Sequence, residues 1–269
     1  MGNCLFLMHA LNAHKPCPQV TIFVHGTHLT AHMLPKKISS FCKLIHDKEG
    51  LFKANDLPQP YFFRAVLEKM ASYNPHFISY DHSYVFVWSG KLSHHERLHA
   101  AQELHKSLLA LHDSYSAQYP SYTLTVITHS HGGNVVLNLA QIPAEKPYLI
   151  DRLILLAAPV QKVTADLICS SLFKTIYAPH SHWDMLQILD TQKKSKKEYL
   201  QKSPLFSQRH FKNSIVKHIN ITSSYFGIKR GIMHVEFLFS PFIKQMHTII
   251  TQADNHDFAS GELEFDIHK

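Results

Sequence analysis

Six short runs of β-branched and aromatic residues punctuate the chain: "VTIFVHG" (20–26), "SYVFVWSG" (83–90), "YTLTVITH" (122–129), "DRLILLAAP" (151–159), "LFKTIYAP" (172–179) and "IVKHINIT" (215–222). Gly26, the pair Ser89-Gly90 and Pro159 close three of them. Runs of this composition and length read as buried strands. Helical spacing falls between them. Ser93 and Glu96 stand at capping-box spacing, and Leu98, Ala101, Leu104, Leu108 and Leu111 follow on one face. That pattern predicts an amphipathic helix of about 20 residues. Gly132–Ala140 predicts a second helix. Ser240-Pro241 opens a last one, running to about Thr251, because proline suits the first helical turn. Strands alternating with helices predict an α/β fold: a mostly parallel central sheet with helices on both faces.

Ligands of such sheets bind beyond the carboxyl ends of the strands. The stretch "TVITHSHGGNVVLNLA" (125–140) lies at one of those ends, with Ser130 on the corner between strand and helix. A serine there presents its hydroxyl only if small residues let strand and helix pack closely, which is the logic of the G-x-S-x-G turn. The corner reads Thr128-His129-Ser130-His131-Gly132-Gly133, with Thr128 where the first glycine would stand. The amide of His131, at the start of the helix, is placed to meet a developing oxyanion. A second donor is expected from "FVHGTHLT", where the turn at His25-Gly26 aims the amide of Thr27 at the same point.

The His-Gly after an early strand, the S-x-G-G corner and the strand "LILLAAP" behind it resemble the α/β-hydrolase superfamily, in particular its lipase-like and esterase-like members. The likeness spans roughly residues 18–252. It implies an α/β-hydrolase fold, no cofactor, and a triad in the chain order Ser, acid, His, because a serine hydroxyl needs a base and the base an orienting carboxylate. In "YAPHSHWDMLQILD", Asp184 resembles the acid of the family's S-x-x-D-x-V-Q loop; Asp190 and Asp166 are the alternatives. Asp184 also reads as an N-cap of the turn that follows it. Before the last helix, His234-Val235-Glu236-Phe237-Leu238 with Ser240-Pro241 resembles the family's H-x-x-(L/F)-x-S-P. That selects His234 over His218, inside a strand, and His247, inside a helix. His129 and His131 flank the serine without needing a catalytic part, the His131 ring being placed to line the pocket. The implied activity is hydrolysis of carboxylic esters through an acyl-enzyme. Acyl transfer and thioester cleavage use the same triad, and a catalytically silent fold serving as a membrane- or partner-binding module is a reading from another class.

Composition bounds the rest. The chain has 269 residues, 45% of them hydrophobic, enough for one core. We read an apolar N-terminal segment (1–17) and a single hydrolase domain (18–269). "MGNCLFLMHALNA" lacks the basic flank of a secretory signal, and Phe6 stands where a myristoylation site needs Ser or Thr. No run approaches the roughly 20 apolar residues that span a bilayer. Four cysteines without a CxxC fit a reducing, cytoplasmic setting. Between Thr191 and His218, eight Lys/Arg face one acid, Glu198, so this stretch alone accounts for the formal net charge of +7. It suits an anionic membrane surface, and no nucleic-acid motif accompanies it. Segments 29–80 and 191–214, apolar and apolar-plus-basic, are the candidate lids, fitting a small-molecule or lipid ester. The 23 histidines include His-Ser-His at 129–131 and again at 180–182. With no HExxH and no finger spacing, no metal is expected.

Overall fold

A computed structural model of the protein describes residues 17–27, 48–143, 148–190, 206–225 and 228–268. Its nine strands form one sheet: β1 (Gln19–Val24), β2 (Gly50–Lys53), β3 (Ser83–Val87), β4 (Thr123–His129), β5 (Ile150–Leu156), β6 (Phe173–His180), β7 (Val216–Tyr225), β8 (Ile228–Gly231) and β9 (Leu263–His268). They lie in the order β2-β3-β1-β4-β5-β6-β7-β8, with β9 also paired to β7. The six anticipated strands make the parallel body of the sheet. β2 and β8 add antiparallel edges, and β9 runs parallel to β7. The strands end earlier than their apolar runs. β1 stops at Val24, β3 at Val87 and β5 at Leu156, and the residues left over turn into loops at the carboxyl ends.

Helices cover both faces. They are α1 (Phe62–Tyr73), α2 (His94–Gln118), α3 (Gly132–Leu137, continued by a 3-10 turn at Asn138–Gln141), α4 (Lys162–Ala165), α5 (Leu186–Leu189) and α6 (Ser240–Asn255). Alternate strand residues divide between two apolar cores, as strand geometry requires. Val20, Ile22, Val24, Val126, Leu153 and Leu155 pack with α2 and α3. Phe23, Ile127, Ile154, Tyr177 and Ile219 pack with α1 and α6. The interiors of the central strands β1, β4 and β5 are therefore buried on both sides, which explains why these runs are almost uninterruptedly apolar.

Three expectations need correction. The Ser93/Glu96 capping box does not form. Ser93 makes no side-chain cap bond, its amide donates instead to Lys91 O at 2.8 Å, and the Glu96 carboxylate is taken by the Ser89 hydroxyl at 2.9 Å and Lys91 at 3.5 Å. α6 runs four residues past Thr251. Of the 29–80 segment, residues 48–80 are framework: Tyr61, Phe63, Val66, Leu67 and Met70 are core residues. Residues 28–47 and 191–205, with the N-terminal 1–16, lie outside the described residues. No helix among the described residues is long and apolar enough to cross a membrane.

Candidate active site

Ser130 follows β4 directly and sits at φ 54°, in the left-handed region. For a residue with a Cβ this costs about 1–3 kcal/mol and persists only when surroundings enforce it. Here the Ser130 amide donates to Leu156 O at 2.9 Å and its carbonyl accepts from Gly133 at 3.0 Å. Ala157, at the end of β5, is also left-handed (φ 49°) and donates to Pro179 O on β6 at 2.9 Å. Each corner is thus tied to the neighbouring strand.

The glycines have steric reasons. A Cβ on Gly132 would lie 2.3 Å from Val24 O and 2.7 Å from His25 O, and one on Gly133 would lie 2.7 Å from the Ala158 Cβ. A Cβ on Gly26 would lie 2.7 Å from the Ser130 Cβ. The His25-Gly26 turn, with buried Thr27 next to it, therefore lies against the serine corner. Trp88, just past β3, fixes that turn: its indole N–H donates to His25 O at 2.8 Å and its ring stacks on the His25 ring. Thr128, in place of the usual first glycine, is buried and donates from its hydroxyl to Ile154 O at 3.4 Å.

Asp184 and His234 meet. His234 Nδ1–H donates to Asp184 Oδ2 at 2.8 Å across 50 residues of chain, and both side chains are buried. That bond leaves Nε2 as the ring nitrogen available to a hydroxyl. Asp184 Oδ1 accepts the Gln187 amide at 3.2 Å, so the capping reading of Asp184 holds alongside its pairing. Arg209 frames the loop from outside, Nε donating to Ser181 O at 3.0 Å and Nη2 to Asp184 O at 3.1 Å. His234 opens a 3-10 turn (His234–Leu238). Glu236 holds that turn, accepting the Met233 amide at 2.7 Å and both Arg230 nitrogens at 2.9 and 2.7 Å.

The flanking histidines are buried supports. His129 Nε2–H donates to His234 O at 3.0 Å, and the two rings lie 4.7 Å apart. Burial, reinforced by His234, pushes its pKa down to about 3, so the ring is neutral and its tautomer fixed. The His131 ring does not line an open pocket as anticipated. It is buried, with Nε2 3.4 Å from Asp190 Oδ1. Burial lowers the His131 pKa, opposed by its hydrogen bond with Asp190. Burial alone would raise the Asp190 pKa, but hydrogen bonds from His131, Gln161 and Ser207 outweigh it and hold it low. Gln161 also accepts from the buried Arg97 at 2.8 Å. Asp190, the alternative acid, is therefore committed to His131, while Asp166 begins a 3-10 turn after α4. His218 and His247 lie in β7 and α6, as anticipated.

The sequence reading missed Arg97, Gln161, Ser207, Arg209, Arg230 and Glu236. The hints were slight: a charged residue one position before the apolar stripe of α2 pointed to Arg97, Glu236 stands inside the motif around His234, and Arg209 belongs to the basic segment. An open cleft of about 550 Å³ runs beside the acid loop, lined in part by Met185, Ile188, Leu189 and Phe206.

A sheet of this order, a serine on a strand-to-helix corner and an Asp–His pair at the same carboxyl end define an α/β-hydrolase-type protein. The profile of the PGAP1-like alpha/beta domain matches residues 18–256, and the chain belongs to that family. No curated protein matches the chain. Among solved structures, the carboxylesterase CesB (YbfK) from Bacillus subtilis shows a distant likeness, with a TM-score of 0.33 and 11% identity over 88% of this chain and 85% of that one.

Proposed function

We propose that the protein is a serine hydrolase of carboxylic esters, working through an acyl-enzyme. The observation that carries this reading is the buried 2.8 Å bond from His234 to Asp184, made in the same strand-end cluster as the left-handed Ser130. Ser130 Oγ attacks the ester carbonyl while His234 Nε2 takes its proton. The imidazolium that forms is stabilised and held in orientation by Asp184. The amides of Thr27 and His131 receive the oxyanion. His234 then protonates the leaving alcohol, and water repeats the cycle in reverse to release the acid. His129 keeps the His234 backbone in place without competing for the proton, since burial holds its own ring neutral.

The cleft beside the acid loop pairs an apolar side (Met185, Ile188, Leu189, Phe206) with Arg209, His182 and His210, a combination that suits an acyl chain bearing an anionic group. The basic segment suits an anionic surface around a lipid ester. Two of its members have internal partners, however: Arg209 in the acid loop, and Lys217, 2.6 Å from Asp254. Acyl transfer to an alcohol would use the same residues and differ only in product.

The deciding experiment is labelling with a fluorophosphonate, the adduct located by mass spectrometry, in buffer and with anionic vesicles. A single adduct on Ser130, absent from Ser130→Ala, is expected. Labelling elsewhere, or ester turnover that survives Ser130→Ala, sinks the reading.

A further inference from the structure

The second His-Ser-His, at the end of β6, meets two segments far away in the chain. His210 comes from the stretch after Phe206, and Glu262 directly precedes β9. His180 Nε2 lies 2.8 Å from His210 Nε2 and 3.2 Å from Glu262 Oε2, and His210 Nε2 is also 3.2 Å from Glu262 Oε2. These three atoms close a triangle. His182 Nε2 reaches the other carboxylate oxygen at 3.0 Å, and its backbone amide is held by Asn220 Oδ1 at 3.3 Å. Beyond them His218 packs on His210, with ring centroids 4.9 Å apart. Its Nε2–H donates to Phe211 O at 3.1 Å, and its buried Nδ1 has no hydrogen-bond partner.

Proton counting shows what this arrangement wants. His180 Nδ1–H donates to Ala178 O at 3.3 Å, so its neutral ring turns a lone pair on Nε2 toward the cluster. That lone pair faces a carboxylate oxygen and a second imidazole nitrogen. His210 has one proton at most on Nε2 and cannot serve both neighbours. A cation among the three atoms satisfies all of them at once. Around a tetrahedral zinc ion with bonds of about 2.0–2.1 Å, ligand atoms stand about 3.3 Å apart, close to the spacings observed. A ligand histidine whose other nitrogen donates to a backbone carbonyl is the usual outer-shell arrangement.

We propose that His180, His210 and Glu262, completed by His182, bind one divalent transition metal of the zinc class. The donor set, imidazoles and one carboxylate, suits zinc and its first-row neighbours. His182 and His210 are about half exposed, at 51% and 46% of their side-chain surface, so an ion enters from solvent after folding. The site is structural. It clips the end of β6, the segment around Arg209 and the approach to β9 together, and thereby braces the loop that carries Asp184. It stands independently of the ester-hydrolase reading, because metal binding is read without substrate.

The test uses the full chain without an affinity tag, stripped by a chelator and titrated with Zn²⁺ or Co²⁺ alone. One ion per chain is expected, with a Tm rise of about 5–10 °C at a hundredfold excess over Kd. X-ray absorption should show a nitrogen/oxygen shell at about 2.0 Å with imidazole scattering. His210→Ala and Glu262→Gln, both at partly exposed positions, should each weaken binding at least tenfold, while His112→Ala, remote from the cluster, binds as the parent does. Absence of stoichiometric binding, or equal binding by His210→Ala/Glu262→Gln, overturns the proposal and reduces the cluster to adventitious surface histidines. If those variants fail to fold, the absorption spectrum of the parent decides: a shell without imidazoles overturns it equally.

Discussion

The same tripeptide, His-Ser-His, ends two strands of one sheet and has two different environments. At 129–131 the central serine is left-handed, glycines crowd around it, and both rings are buried, one against the His234 carbonyl and one against Asp190. At 180–182 the backbone stays in the ordinary region. The Ser181 hydroxyl accepts the Trp183 amide at 3.2 Å, and the rings converge on Glu262. Three identical residues thus become a strained serine corner in one place and a cation-shaped cluster in the other. What separates them is the partner strand. β5 closes over the first motif through the Leu156 carbonyl, whereas the second stands where β7 and β9 bring Asn220 and Glu262 alongside.

The largest expected effect tests that contrast directly. Ser130→Ala should cost about 10⁴-fold or more in ester turnover, and Ser181→Ala should stay within about threefold, since it loses a hydroxyl that only orders a turn. Equal losses would erase the distinction between the motifs. Next comes the choice of acid. Asp184→Asn should lower kcat about 10³–10⁴-fold by disturbing the His234 tautomer, while Asp190→Asn, at the acid that holds His131, Gln161 and Ser207, should cost roughly tenfold or less. A reversed order would return Asp190 to the triad.

Gly132→Ala should destabilise the fold by about 2–3 kcal/mol in urea unfolding. The added Cβ would meet backbone oxygens of Val24 and His25, which have no rotamer to yield. Ala substituted at Gly261, where a Cβ meets nothing within 4 Å but φ is 131°, separates backbone strain from crowding.

The smallest effect is in pH. Burial pushes the pKa of His129 down to about 3 and that of His218 down to about 4, below the usual 6.5. Below pH 6.5 the unfolded chain binds the extra protons, so stability falls as pH drops from there toward 3. Each histidine contributes at most about 1.4 kcal/mol per pH unit. Metal-free urea unfolding from pH 7 to 4 should show this slope, and His129→Gln should flatten it. An unchanged slope would mean that His129 is not buried neutral.

Much of this was legible locally. The β-branched runs around Ile22, Ile127 and Ile154 announced their strands, and the small residues around Ser130 announced a tight corner, because strand propensity and steric crowding act over a few neighbouring residues. The alternation Leu263, Phe265, Ile267 is a strand signal of the same local kind, and it marks β9. β2 and β8 carried no comparable pattern: β2 is half-buried throughout, and β8 is largely exposed. The capping box at Ser93 looked sound by spacing, but Glu96 had nearer partners in Ser89 and Lys91. α1 escaped notice because Phe62, Phe63 and Tyr61 suggested surface cover until the core they fill was visible.

The sequence by itself determined the six parallel strands, their alternation with helices, the position of Ser130 and the short list of acids and histidines. Only the tertiary structure decided that Asp184 pairs with His234 while Asp190 serves His131, and that His180 and His210 face Glu262. Those choices rest on contacts between residues that lie about 50 to 80 apart in the chain. Their geometry is set by the order of strands in the sheet, and no local propensity encodes which strand ends will be neighbours.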